Sequence, residues 1–252
     1  MILGKNGKFK GKGYVCFIDV LGFSNDILKN WHNSESNPLE KILSIKNKMP
    51  IFDDSSEESE SDSHRKYVCR VNTVSDSVTI CFGYDENIMV GDMVLGLEAV
   101  IGNISYIWST FISEGYTIRG AIDYGDIYWD TNELIGPAFI NAYRLESEVA
   151  KNSRVIVSSN LNRELSNIFV NFESVLTDHL IERFRKDVDG YIIIDPSLLH
   201  DTDEQRVQLI EDLQAMKNKV NSGIVKEKYN PLISMLSEEN PKTLEKQEFG
   251  NY

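Results

Sequence analysis

Residues 14–20 (YVCFIDV) are apolar at every position except Asp19, the pattern of a central strand covered on both faces. Residues 67–74 and 77–82 are rich in β-branched and aromatic side chains. Only Ser75-Asp76 separates them, so they read as two strands joined by a tight turn. Between 89 and 113, Val90, Val94, Leu97, Ile101, Ile104, Trp108 and Phe111 recur on one helical stripe. Helices are also expected over 25–31, 38–48, 137–149 and 160–165, and strands over 117–123, 126–129, 154–157 and 191–194. After 201 the pattern turns helical. Thr202 and Gln205 form a capping box, and Val207, Ile210, Leu213, Met216 and Val220 make an apolar stripe. A second helix over 225–236 carries Pro231 as a break, and 242–252 reads as a frayed end. The order β-α-β-β-α-β, then α-β, predicts an α+β fold: a ferredoxin-like split βαβ antiparallel sheet with helices on one face. Residues 1–200 form that domain and 201–252 a helical C-terminal extension.

With 252 residues, 41% of them hydrophobic, the chain can bury a full core. Residues 53–64 (DDSSEESESDSH) have no apolar anchor, which predicts a mobile acidic loop over 53–65. Twenty-six basic against 39 acidic residues give a net charge of −13, which argues against long nucleic acid. A mononucleotide is still allowed, because a metal ion can bring the positive charge. Cys16, Cys69 and Cys81 lie inside strand runs; their spacing fits no zinc motif and their odd number no disulfide framework. Reduced thiols in a cytoplasmic protein are the expectation. Residues 1–13 lack the apolar segment of a signal peptide. The apolar stretch 89–112 is interrupted by Gly91, Asp92, Glu98 and Asn103, so it reads as a buried helix rather than a membrane span.

The candidate chemistry lies in three motifs. Asp19 ends an apolar strand and precedes Leu21-Gly22-Phe23-Ser24; Asp76 sits in the turn between two strands. In a split βαβ sheet these strands are neighbours, so both carboxylates can meet one or two hard cations. The Gly22-Phe23 turn can offer backbone N–H groups to phosphate. The third motif runs from Arg119 to Asp126 and continues from Gly136 to Ser147; its arginines can stabilise charge on a phosphate. Asp123, Asp126 and Asp130 are read as solvated edge charges, and Arg183, Arg185 and Lys186 as a solvated basic face. His32, His64, His179 and His200 show no metal spacing, and Trp108 and Trp129 are assigned to core or dimer interface.

These motifs resemble the catalytic domain of class III nucleotidyl cyclases over about residues 14–160. The family's F-x-D-(I/V)-x-G-F-(S/T) run is met from Phe17 to Ser24 at every defined position. Asp76 matches the second metal aspartate, although Ser75 replaces the usual preceding glycine. Arg119 to Gly125 resembles the R-x-G strand, and Gly136 to Glu146 the later G-x-x-V-N-x-A-x-R run. By position, the resemblance makes Asp19, Asp76 and the Val20 carbonyl ligands for two Mn²⁺ or Mg²⁺ ions per site. Gly22 and Phe23 become triphosphate contacts and Arg144 the transition-state arginine. The family's catalytic Asn position holds Ile140, and Asn141, one residue on, is the candidate for that role. In the family the metal ligands and the arginine come from different subunits, so a homodimer with composite active sites is implied.

The base-reading positions depart from the family. Lys with Asp reads adenine and Glu with Cys reads guanine, whereas this chain has Asn72 and Glu133. A site built for one base leaves polar groups unpaired with another. That pair, with Gly136-Pro137-Ala138 and Ala142 to Glu146, resembles bacterial pyrimidine cyclases of the Pycsar type. The resemblance implies a cytoplasmic phosphorus–oxygen lyase that makes 3′,5′-cyclic UMP, or cyclic CMP, as an antiviral second messenger for a separate effector. The alternatives are an adenylate or guanylate cyclase with unfamiliar base contacts, or a non-catalytic nucleotide-binding version of the fold.

Overall fold

The apolar run at 14–20 is the middle of a longer strand, β1 (Phe9–Leu21). Its length is set by β4 (Thr117–Trp129), which pairs with it antiparallel from Phe9↔Trp129 to Leu21↔Thr117. The two strands expected over 117–123 and 126–129 are therefore one. Gly125 lies opposite Gly13 inside the ladder rather than at a turn. This computed structural model describes residues 8–33, 37–48, 67–84, 87–220, 222–238 and 243–250; the acidic segment 53–65 lies outside them.

On the other side of β1 lies β3 (Ser77–Tyr84), paired antiparallel, and beyond it β2 (Tyr67–Val74). The expected split βαβ core is thus present. The first two strands in sequence are separated by the third, and α1 (Phe23–Asn30) and α2 (Pro38–Lys48) make the connection. The sheet continues from β4 through β6 (Val155–Val157), β8 (Ile192–Ile194) and β7 (Phe184–Lys186), while β5 (Leu134–Ile135) folds back on β4. It is mostly antiparallel; the β4–β6 pair is parallel. The fold is α+β.

Side chains alternate along β1, and both sets are buried. Tyr14, Cys16 and Ile18 face α3 (Val90–Ser113), whose stripe of Val94, Leu97, Ile101, Ile104, Trp108 and Phe111 fills the main core. The Tyr14 hydroxyl ties the two layers by donating to the Met93 carbonyl at 3.2 Å. Val15 and Phe17 face the opposite way, with Cys81 and Ile127, and α4 (Pro137–Val149) covers them with Ala138 and Ala142. Helices therefore lie on both faces, not on one. The reason is the parallel β4–β6 pair, whose connection must cross over the sheet, and α4 is that crossover. Helix α3 has the length and hydropathy of a membrane span, and its buried stripe seats it against the sheet.

Helix α5 (Ser159–Asn171) runs beyond the expected 160–165 and is capped by Ser158; α6 (Val175–Ile181) follows. Helix α7 (Asp203–Lys219) begins with the predicted Thr202–Gln205 capping box. The single helix expected over 225–236 is two, α8 (Gly223–Glu227) and α9 (Asn230–Leu236), with Pro231 in the first turn of α9, where it needs no N–H partner. Leu213, Met216, Leu232, Leu236, Leu244 and Phe249 join the same core as α3 and the sheet. Arg185, read as part of a solvated face, is buried and pairs with Glu238 at 2.7 Å; Arg183 pairs with Glu98 at 3.0 Å. Cys16 and Cys81 are fully buried and burial pushes both thiols up, Cys81 to about 12; Cys69 is partly buried. Trp108 and Trp129 are core residues.

Candidate active site

The end of β1 brings Asp19 directly opposite Arg119 of β4. Gly120 makes the approach possible, because a Cβ there would stand 2.8 Å from the Phe17 carbonyl oxygen. Arg119 donates from Nη2 to Asp19 Oδ2 at 2.9 Å and from Nε to the same oxygen at 3.2 Å. The same Nε lies 2.8 Å from Glu146 Oε1 of α4, without the alignment of a hydrogen bond. One guanidinium thus serves two carboxylates. The Glu146 side chain is 3% exposed and that of Asp19 24%. Burial raises both carboxyls and Arg119 opposes the rise; for Glu146 the outcome is about 7.

Asp76 occupies the β2–β3 turn, reached where Ser75 adopts φ 53°. The β1–β3 ladder ends at Ile18↔Val78, so Asp19 and Asp76 lie just beyond it at the same end of neighbouring strands. Their charges act on each other: Asp76 contributes to the rise of Asp19 and of Glu146. Lys46 of α2 is half-buried, its ammonium weakened by burial and supported by Asp76. Sequence reasoning missed Lys46 and Glu146 as parts of this cluster. Glu146 carried a signal, its place in the Arg-Leu-Glu end of the third motif.

Immediately after Asp19, Val20 and Leu21 are buried and Gly22 turns the chain with φ 87°. That left-handed geometry favours glycine. Gly22 caps α1 without a side-chain partner for the first-turn N–H groups. Phe23 buries its ring against Tyr116, so its contribution at the surface is backbone.

Helix α4 carries the third-motif residues at different depths. Arg144 is exposed, together with Ile140 and Tyr143. Asn141, one turn before Arg144 and half-buried, donates to Asp123 Oδ2 at 3.2 Å. Asp123, expected at a solvated edge, is fully buried. It also accepts from the Ser158 hydroxyl and, at 3.5 Å, from Asn160. Burial raises its carboxyl, and these donors act against the rise. The correction has a simple cause: β4 is a central strand, and three polar donors satisfy the carboxylate where it turns inward. Asp126 is exposed, and Asp130 orders the β4–β5 turn by accepting the amides of Asn132 and Glu133 at 2.9 Å.

Asn72 lies on β2, half-buried, and Glu133 is exposed in the β4–β5 turn. Arg70, two residues before Asn72 and on the same face of β2, reaches the carbonyls of Thr131 and Glu133 at 3.3 and 3.5 Å. The strand that carries Asn72 and the turn that carries Glu133 are thereby held side by side. Among the described residues, no group of three or more His, Cys, Asp or Glu side chains is placed to hold a metal ion. Asp19 and Asp76 are hard oxygen donors of the type Mg²⁺ and Mn²⁺ take, and Arg119 is the counter-ion that Asp19 Oδ2 has in this structure.

No protein-family model matches the chain, and no curated protein matches it. Several solved structures are similar in fold. One is the catalytic core of a rhodopsin-guanylyl cyclase with converted specificity in complex with ATPαS, at 14% identity and TM-score 0.41, covering 73% of this chain and 96% of that one. A second is a bacterial light-regulated adenylyl cyclase, at 11% identity and TM-score 0.44, covering 83% of this chain and 58% of that one. A third is a class III adenylyl cyclase-like ATP-binding protein from Pseudomonas aeruginosa, at 12% identity and TM-score 0.42; it covers 88% of this chain, which spans 43% of that one. The likeness concerns the arrangement of sheet and helices and does not by itself assign an activity.

Proposed function

We propose that this chain is a nucleotidyl cyclase of the class III type, converting UTP, or CTP, into its 3′,5′-cyclic nucleotide and pyrophosphate. The observation that carries the proposal is the convergence of Asp19 and Asp76 at one end of neighbouring strands, beside the left-handed Gly22 that opens α1. Two carboxylates with the Val20 carbonyl suit two Mn²⁺ or Mg²⁺ ions. When bound, such ions acidify the ribose 3′-hydroxyl and compensate triphosphate charge. The 3′-oxygen then bonds to the α-phosphorus, the bond from that phosphorus to the pyrophosphate oxygen breaks, and the hydroxyl proton passes to solvent.

The Gly22 and Phe23 amides orient the phosphates at the start of α1. Arg144 faces outward on α4, which suits a role on a nucleotide held by a second copy. The class III resemblance adds a homodimer with composite sites, in which Arg144 stabilises charge developing on the phosphates. Asn72 and Glu133 read the base; Arg70 keeps their strand and turn adjacent. The Pycsar-type resemblance extends the proposal to a cytoplasmic antiviral messenger acting on a separate effector.

A second reading, a nucleotide-binding protein without turnover, is favoured by one observation. The Asn141 amide is engaged by Asp123, which occupies the group a catalytic Asn would offer to substrate. Incubation with Mn²⁺ and all four ribonucleoside triphosphates, followed by mass spectrometry, separates the readings. Cyclic UMP or CMP, lost in Asp19→Ala with the fold intact, supports the first. Cyclic AMP or GMP overturns the base assignment. Saturable nucleotide binding without pyrophosphate release supports the second.

A further inference from the structure

We propose that Arg119 is a shared counter-ion, and that Glu146 draws it off Asp19 when a divalent cation takes that carboxylate. Glu146 is then a positioning residue for cation binding. The inference rests on the reading of Asp19 as a cation ligand.

The geometry supplies both partners. Arg119 Nε lies 3.2 Å from Asp19 Oδ2 and 2.8 Å from Glu146 Oε1, so a small rotation of one guanidinium exchanges them. Glu146 Oε1 is buried and lacks an aligned donor, while Asp19 already accepts two N–H groups from Arg119. Their burial also differs. At 3% exposure the Glu146 carboxylate is nearly closed to solvent, whereas Asp19, at 24%, opens to the surface from which a cation arrives. A buried charge without a partner is costly, so Glu146 gains most from full possession of the arginine. Asp19 loses nothing by the exchange, because the cation replaces the guanidinium. Without Glu146, displacing Arg119 from Asp19 would leave a half-buried cationic group whose acceptor, among the described residues, is the Ala150 carbonyl at 3.5 Å.

The test is Mn²⁺ binding to the full chain without nucleotide, read from the electron paramagnetic resonance signal of free Mn²⁺ at alkaline pH. Glu146→Gln should weaken binding about tenfold, the worth of one charge-assisted hydrogen bond. Arg119→Gln should tighten it, because Asp19 then has no competitor. In the double variant, Glu146→Gln should add less than about threefold, since no arginine remains to be drawn off. A merely structural role for Glu146 would not give effects of opposite sign that collapse in the double variant. Circular dichroism confirms that each variant is folded. The inference is overturned if Glu146→Gln binds Mn²⁺ like the parent, or if the double variant weakens as much as the single one. If Asp19→Ala also binds like the parent, or the parent does not bind Mn²⁺, the cation reading itself fails.

Discussion

Glu146 makes the stability of this fold depend on pH in a way that can be isolated. Its side chain is 3% exposed, and its carboxyl is raised from 4.5 to about 7 by burial first, then by the charges of Asp19 and Asp76, against Arg119. A rise of that size corresponds to about 3 kcal/mol between the two protonation states. The native state therefore holds the proton more tightly than the unfolded chain. The contribution is fully present below 4.5, falls as pH climbs through the interval to about 7, and is gone above it. Glu146→Gln has no proton to lose, so its stability lacks this slope. Urea unfolding of both proteins at matched ionic strength, between about pH 5 and pH 8, measures it. Asp123, also raised by burial, titrates in both proteins and cancels in the difference, whereas Asp19 shares Arg119 with Glu146, so Asp19→Asn is placed in both proteins to remove its own titration. The parent should lose about 2–3 kcal/mol relative to the variant across that range. A gap that stays constant with pH would refute the burial argument.

Other perturbations reach the neighbouring parts. Gly22→Val must hold φ 87° with a branched side chain, so it should lose about 1–2 kcal/mol in thermal unfolding and most of its turnover; parental values for both would show that the turn is not needed. Arg154→Ala leaves Asp187 buried without the guanidinium of its ion pair and should cost about 3–5 kcal/mol in urea unfolding; a loss below about 1 kcal/mol would mean the pair is solvated. Asn72→Lys with Glu133→Asp should move product toward cyclic AMP in a mixed-triphosphate assay, and an unchanged product ratio would place base recognition elsewhere.

The strands and the long helix were legible because their signals are local. Residues 67–74 and 77–82 are rich in β-forming side chains on either side of a two-residue turn, and α3 keeps its stripe for 24 residues. What was not legible depends on partners far along the chain. Lys10, Gly11 and Lys12 do not look like a strand, yet the β4 ladder makes them one. Gly125 looks like a turn, and the same ladder runs straight through it. Asp123 has the sequence surroundings of an edge charge. Its burial is decided by Ser158, Asn141 and Asn160, which arrive from α4 and α5. The aspartates 19 and 76 were readable as a pair because the split βαβ order alone makes their strands neighbours. The guanidinium between Asp19 and Glu146 was not, since it requires the β1–β4 register.

That ladder also shapes the chain's synthesis. β1 is made before its partner strands, and its centre, Tyr14 to Ile18, is apolar on both faces. Its partners come much later: Asp19 meets Arg119 across a separation of 100 residues. Until β3 and β4 leave the ribosome, this uncharged run of β-forming side chains has no native neighbour and carries the features of an aggregation-prone segment. Slow translation at low temperature lengthens that wait, and a chaperone that binds extended apolar segments shortens its danger. Yield of active protein should therefore follow chaperone supply more closely than it follows the stability of the finished fold.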